Sequence, residues 1–305
     1  MVKVMTEIGR WIRSLILPTT MSGIYKQAFA IGGLEVKVLS KHEEADSKPA
    51  FVLFVLHGRH GHCEDQNVTS IVRGLLHEKD SNTQRKLYIV TFDQRNHGHR
   101  MVDPKANDGW SEVPAKNNDQ HAIDMYSLQT GTARDVSFLI DFLPAYMFPE
   151  QERTIADWGV AGVSLGGHST WISLSQEPRL TIGIPIIGCP DYLTLISARA
   201  EKFGISLEKS SYLPDSLLAL IQRSDPASTP YTSGNSSNPF LGKKILVLSG
   251  ADDLLVPWSA SEPFVNGLVV GENGAKAVFV QEGVGHKCTP EMVQQLVEFV
   301  RTHSN

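Results

Sequence analysis

The sequence is short of cysteine, of net positive charge and of long apolar runs, and each shortage removes a class of protein. Three cysteines in 305 residues, Cys63, Cys189 and Cys288, are few, odd in number and far apart. They do not form a disulfide framework, and a reducing compartment, the cytoplasm, is the simpler setting. Lys and Arg number 28 against 33 Asp and Glu, a formal charge of −5. No dense Lys/Arg cluster is present, so the basic stripe that binds a nucleic acid by counterion release is missing. The longest apolar runs, such as Phe51 to Leu56 and Leu180 to Ile187, fall well short of the ~20 residues of a membrane span. There is no internal repeat and no low-complexity tract.

What remains is an ordinary globular composition, 41% hydrophobic and 20% charged, far from that of a disordered chain. A chain this long can bury about 75% of its unfolded surface, enough for a core without disulfides or metal. The first twenty residues read as an amphipathic helix, with Trp11, Leu15, Ile16 and Leu17 available to dock on the same chain, on a partner chain or on a membrane surface. Residues 1–25 are therefore set apart from a body over 26–305. Exchange of this segment between protomers would give a homodimer.

Along the body, short apolar runs alternate with helical patterns. Ala28 to Ile31 and Leu34 to Leu39 read as two strands turning at Gly32-Gly33. Phe51 to Leu56, Leu87 to Phe92, Trp158 to Ala161, Leu180 to Ile187, Lys244 to Ser249 and Ala277 to Gln281 read as strands, most of them buried on both faces. Helices are expected over Val68 to Glu78, Thr130 to Phe142, from Leu165 onward, Trp258 to Leu268 and Pro290 to Val300. The pattern predicts an α/β fold: a mostly parallel central sheet with helices on both faces. Ligands of such sheets bind at the carboxyl ends of the strands.

Two stretches break the rhythm. Met101 to Ser127 is a long polar loop after a strand, a length that suits function. Residues 190–242 carry two helix-like pieces, Tyr192 to Phe203 and Pro214 to Gln222, followed by a Ser/Pro/Asn-rich connector. They read as a small helical cap insertion over the sheet, with a lateral decoration as the alternative.

Chemistry concentrates at three strand ends. Gly162-Val163-Ser164-Leu165-Gly166 is a G-x-S-x-G pattern placed between a strand and a helix. A sharp turn there presents the serine hydroxyl, and the helix N-terminus adds positive partial charge. A serine needs a base. His286, in a Gly-rich loop after the last strand, supplies one. The histidine needs an orienting carboxylate: Asp252 and Asp253 both follow strand Lys244 to Ser249, and Asp191 is a more distant contender. An oxyanion requires backbone donors; the N–H of Leu165 is one, and the loop His57-Gly58-Arg59-His60-Gly61 offers the other, Arg59 first and His60 next. His57, His60, His62, Cys63, His97 and His99 also suggest a metal, but their spacing matches no standard zinc signature, so neither a metal nor another cofactor is expected. Residues placed to line a pocket are His60, Trp110, Tyr192 and Trp258. Trp110 lies in a polar loop whose own sequence offers little core, whereas Cys288 reads as a packed thiol.

Taken together these residues resemble the α/β-hydrolase superfamily, over most of the chain from Phe51 onward. The order Ser164, Asp253, His286 is that of the superfamily. Many members carry Gly-x-x-Asp-x-x-Val-Pro after the acid-bearing strand, and Gly250 to Pro257 matches it with Asp253 in the acid position. Val160 to Trp171, Gly188 to Asp191 and Asp225-Pro226 look like the esterase and oligopeptidase-like branch with a small cap. Many members also carry Asp-x-Arg-Gly-x-Gly-x-Ser where this chain has Asp93 to Arg100, with Asn96 in place of a glycine and Arg100 in place of a serine. The resemblance implies a serine hydrolase acting on a small acyl substrate, an ester, thioester or small amide. The alternatives are a carbon–carbon bond hydrolase, acyltransferase or lyase on the same scaffold, and a binding protein without catalysis.

Overall fold

A computed structural model describes residues 19–21, 23–41, 47–77 and 84–304. The amphipathic helix expected at the N-terminus lies largely outside them. Its last residues do not: Thr19–Met21 is already strand β1, and β2 begins at Ile24, four positions before the expected start. β2 is an outer strand whose residues are mostly only partly covered, so its apolar signal is weak at the start.

Among the described residues, nine strands form one sheet. β1 (Thr19–Met21), β2 (Ile24–Ile31) and β3 (Leu34–Lys41) are antiparallel to their neighbours, and β3 pairs antiparallel with β5 (Lys86–Phe92). From β5 the sheet is parallel, through β4 (Ala50–Leu56), β6 (Ile155–Val163), β7 (Leu180–Ile186), β8 (Lys244–Gly250) and β9 (Ala275–Gln281), in the order 1-2-3-5-4-6-7-8-9. The exchange of β4 and β5 places β4 beside β6, so the loops after these two strands meet at a switch in strand order, where α/β sheets bind ligands.

The helices are α1 (Gln66–His77), α2 (His121–Met147), α3 (Leu165–Gln176), α4 (Tyr192–Lys202), α5 (Asp215–Ser224), α6 (Trp258–Gly267) and α7 (Pro290–His303). Strand β4 shows why both faces need cover. Val52, Phe54 and Leu56 join one apolar cluster with Val136, Leu139 and Leu143 of α2 and Trp171 of α3. Phe51, Leu53 and Val55 join the opposite cluster with Ile71 and Leu75 of α1 and Met292 and Leu296 of α7. Alternate residues of a strand point to opposite faces, and each fully buried side chain of this size contributes about 1.5–3 kcal/mol.

α2 starts nine residues earlier than the apolar spacing indicates. Its first turns mix apolar Ala122, Met125 and Tyr126 with the buried polar residues His121 and Gln129, so the long loop ends at Gln120. The 190–242 segment forms α4 and α5, and these pack into a separate cluster with Ala122, Met125 and Tyr126 of α2 and with Leu165. The insertion therefore covers the residue that follows Ser164. Among the described residues no helix is long and apolar enough to cross a membrane.

Candidate active site

β6 ends at Val163 and α3 begins at Leu165, which leaves Ser164 alone to turn the chain. It does so at φ 55 and ψ −108, a left-handed backbone that side-chain-bearing residues rarely adopt. The turn closes because its flanks lack Cβ atoms. A Cβ on Gly162 would lie 2.2 Å from the Gly166 carbonyl oxygen, and one on Gly166 would lie 2.5 Å from the Leu56 carbonyl oxygen. Two backbone bonds pin the turn: Ser164 N–H donates to the Ile186 carbonyl at 2.9 Å and Gly166 N–H to the His57 carbonyl at 3.1 Å.

The structure brings Ser164, His286 and Asp253 into one line. Ser164 Oγ stands 2.8 Å from His286 Nε2, and His286 Nδ1 stands 2.7 Å from Asp253 Oδ2. Asp253 is buried, and its other oxygen, Oδ1, accepts the N–H of Leu255 at 2.8 Å and of Val256 at 2.9 Å. Burial alone would push this carboxyl up; the hydrogen bond from His286 and the two backbone N–H groups outweigh it and hold the pKa below the ordinary value. The carboxylate therefore stays ionised beside the imidazole. Neither rival aspartate stands there. Asp252 is exposed and its N–H is bonded to Val284, and Asp191 caps α4 through Thr194.

The loop after β4 passes over the serine: a Cβ on Gly58 would lie 3.7 Å from Ser164 Cβ. Its first histidine serves the loop. His57 donates from Nδ1 to the Gly58 carbonyl at 2.7 Å and accepts the Gln94 N–H at Nε2, 3.0 Å away, so neither ring nitrogen is free for a ligand. Among the described residues no three His, Cys, Asp or Glu side chains group as metal ligands would. His60 is exposed with φ 64. All three cysteines are free, and burial raises the Cys288 thiol to about 11.

The aromatic residues expected to line a pocket are packed. Trp110 is 5% exposed, which corrects the expectation that it has little core around it: its indole meets His121 and Tyr212 edge-on, at 5.2 and 6.1 Å between centroids. Tyr192 is buried against Tyr126 and its hydroxyl donates to the Ala122 carbonyl. Trp258 is half-buried against the large cluster under α2 and α3.

Two residues that sequence reasoning passed over stand beside this site. His121 donates from Nδ1 to the Asp108 carbonyl at 3.0 Å, leaving Nε2 as an acceptor. Arg199 Nη1 reaches that Nε2 at 3.4 Å, and its Nη2 donates to the Leu255 carbonyl at 3.1 Å. Burial, then Arg199 and Arg59, lower the His121 pKa to about 3, so the ring is neutral. His168, buried behind the turn, is lowered to about 3, chiefly by burial, with Arg199, His286 and Arg59 adding to the effect.

The strand order, with antiparallel strands leading into a parallel sheet that turns at Ser164, is that of the α/β-hydrolase fold. No protein-family model and no curated protein matches the sequence. Solved structures match it along nearly its whole length. TT1662 from Thermus thermophilus is 20% identical, with a TM-score of 0.64 over 92% of this chain and 97% of its own. An acetyl xylan esterase from Paenibacillus sp. R4 is 15% identical, with a TM-score of 0.63 over 95% of this chain and 87% of its own. Est1E from Butyrivibrio proteoclasticus, solved with ferulic acid, is 15% identical, with a TM-score of 0.54 over 89% and 96%. At these identities the likeness establishes the fold.

Proposed function

We propose that the protein is a serine hydrolase that cleaves a carboxylic ester, or a thioester or small amide, through an acyl-enzyme on Ser164. The observation that carries this reading is the unbroken chain from Ser164 Oγ through His286 to the buried Asp253, at 2.8 and 2.7 Å. His286 takes the hydroxyl proton at Nε2 as Ser164 Oγ bonds to the substrate carbonyl carbon. Asp253 holds Nδ1–H in place, so Nε2 is the free base, and stabilises the imidazolium that forms. The tetrahedral oxyanion is received by the N–H groups of Leu165 and Arg59, each contributing about 3 kcal/mol. Neither donates to a turn or loop carbonyl among the described residues, which leaves both for a ligand. His286 then protonates the leaving group, the acyl–oxygen bond breaks, and a water deprotonated by the same ring hydrolyses the acyl-enzyme. The α4–α5 insertion acts as a cap, since it packs on Leu165. Acetyl xylan esterase and Est1E, two solved neighbours of the same fold, support an ester as the first substrate class to try.

Fluorophosphonate labelling of the purified chain, read by peptide mass spectrometry, tests the reading. One adduct per chain on Ser164 is expected, lost in His286→Ala, and Ser164→Ala is expected to abolish turnover of short esters while the fold stays intact. A folded chain that takes no label, or full activity in Ser164→Ala, refutes it.

A further inference from the structure

Several arginines of this protein are neutralised by carboxylates. Arg95 and Arg100 share Asp135 at 2.9 Å each, and Arg179 holds Glu177 at 2.7 Å. Arg199 is not neutralised in this way. It is 9% exposed, yet among the described residues it forms no ion pair. Its partners are a neutral ring nitrogen and a backbone carbonyl, and its Nε is buried with no partner at all. The nearest acid in the catalytic loop, Asp253, has both oxygens engaged by His286, Leu255 and Val256.

A second cation lies close by. Arg59 is half-buried, its Nη1 is buried without a partner, and that atom lies 3.8 Å from where a Cβ on Gly109 would stand, with His121 Cε1 4.0 Å from the same point. Asp108 is the acid that attracts it, but forms no ion pair with it. Burial first, then Arg59, lower Arg199 to about 10, so it stays charged at neutral pH while paying for its neighbour. Uncompensated buried charge of one sign costs stability, and it persists where a ligand completes the pairing. Both arginines are tied to the reacting groups. Arg199 holds the carbonyl of Leu255, whose N–H holds Asp253, and Arg59 follows Gly58, which lies against Ser164.

Resting on the serine hydrolase reading, we infer that Arg199 and Arg59 bind a negatively charged oxygen group of the substrate, so that the ester cleaved at Ser164 carries a carboxylate or a phosphate. A guanidinium matches either group with paired N–H donors. His121, fixed by Asp108, holds Arg199 in place without cancelling its charge, as a carboxylate would. It is a positioning residue.

The test compares charged esters with matched neutral ones in the full chain. Monoethyl succinate and monoethyl adipate are set against ethyl butanoate and ethyl hexanoate, and 2-acetoxyethyl phosphate against ethyl acetate, all followed by acid release at constant pH. At least one anionic ester is expected to exceed its neutral partner in kcat/KM, and the series that does so identifies the carboxylate or the phosphate. In Arg199→Gln that ratio is expected to fall roughly thirtyfold or more, mainly through KM. Arg199→Lys, which keeps the charge, retains part of the ratio and guards against a mere folding defect. Arg73→Gln, a charge lost from the exposed face of α1, leaves it unchanged. If Ser164 takes the fluorophosphonate but neutral esters are preferred, or if Arg199→Gln lowers both classes alike, the anion site is refuted and the hydrolase reading stands. If Ser164 takes no label, both fall.

Discussion

Asp253→Asn separates a carboxylate that orients the base from one that merely fills space. The two oxygens of Asp253 have different duties: Oδ1 accepts two backbone N–H groups, from Leu255 and Val256, and Oδ2 accepts from His286 Nδ1. An asparagine has one acceptor and one donor end. If its NH2 faced Leu255 and Val256, buried donors would meet donors, at about 1–3 kcal/mol for each group left unsatisfied. The carbonyl end must therefore take the backbone side, and the NH2 must face His286. That forces Nδ1 to accept, moves the ring proton to Nε2, and removes the lone pair that Ser164 needs. Loss of the correct tautomer costs about 10⁴-fold in kcat, near 5.5 kcal/mol. The assay is kcat/KM for a short ester in wild type and Asp253→Asn, with the rate of fluorophosphonate labelling at Ser164 as a second readout free of product release. Asp252→Asn is the control, and stays within about threefold because that side chain is exposed and outside the chain of bonds. A loss below about tenfold in Asp253→Asn would show that His286 is oriented by something else and would sink this account of the base.

Stability against pH follows from the buried groups. Burial lowers His57 to about 4 and His121 and His168 to about 3, from an ordinary 6.5. The unfolded chain takes up these protons first, so stability falls as pH drops from about 6.5 toward 4 and 3, by up to about 1.4 kcal/mol per pH unit for each ring. Asp225 acts in the opposite sense: burial lifts its carboxyl to about 8, so its contribution falls as pH rises from about 4 to 8, and Asp225→Asn removes that limb. Thermal unfolding from pH 3 to 8 of both proteins reads the two effects, and a flat wild-type profile between pH 6 and 4 would contradict the first. Gly166→Ala brings a Cβ to within 2.5 Å of the Leu56 carbonyl oxygen, where backbone must give. It is expected to lower stability by about 3 kcal/mol or more and to abolish labelling at Ser164; wild-type labelling in this variant would show that the turn adapts.

The sheet was legible because its inner strands are apolar on both faces, and no other element of that length needs this pattern. The turn at Ser164 was legible for a local reason: two glycines two residues either side of a serine, between a strand and a helix, meet a steric demand that the structure shows at 2.2 and 2.5 Å. Where neighbours decide burial, the pattern failed. The first turns of α2, read as loop beside the polar stretch that precedes them, bury Ala122, Met125 and Tyr126 against the insertion. Trp110 looks solvent-bound until Tyr212, about a hundred residues later, packs on it. Arg199 reads as the basic end of a short helix. Its partners His121 and Leu255 are 78 and 56 residues away, and no local pattern encodes a contact at that range.

The turn after β5 departs at two positions from the pattern of the resemblance, and both departures add side-chain contacts. Asn96 stands where the pattern of the resemblance has glycine and keeps a positive φ, 56, which asparagine tolerates better than most residues. Unlike glycine it brings a side chain. Its Oδ1 accepts the N–H groups of Val102 and Asp103, both at 2.9 Å, and its Nδ2 donates to the Asp103 carbonyl at 2.6 Å and to Asn107 Oδ1 at 3.0 Å. Arg100, in place of a serine, donates to the Asp93 carbonyl and to Asp135, each at 2.9 Å. Together they fix the start of the polar loop as far as Asn107. The next residue, Asp108, supplies the carbonyl that sets the His121 tautomer, and His121 in turn receives Arg199. The departures thus lie at the head of a continuous set of contacts that ends on the unpaired guanidinium. Asn96 adds side-chain bonds to Asp103 and Asn107 beside the bond that Asn107 Nδ2 donates to the Asn96 carbonyl at 2.8 Å, and Arg100 ties the turn to α2 through Asp135, so this turn, the loop and α2 are held as one support beneath His121.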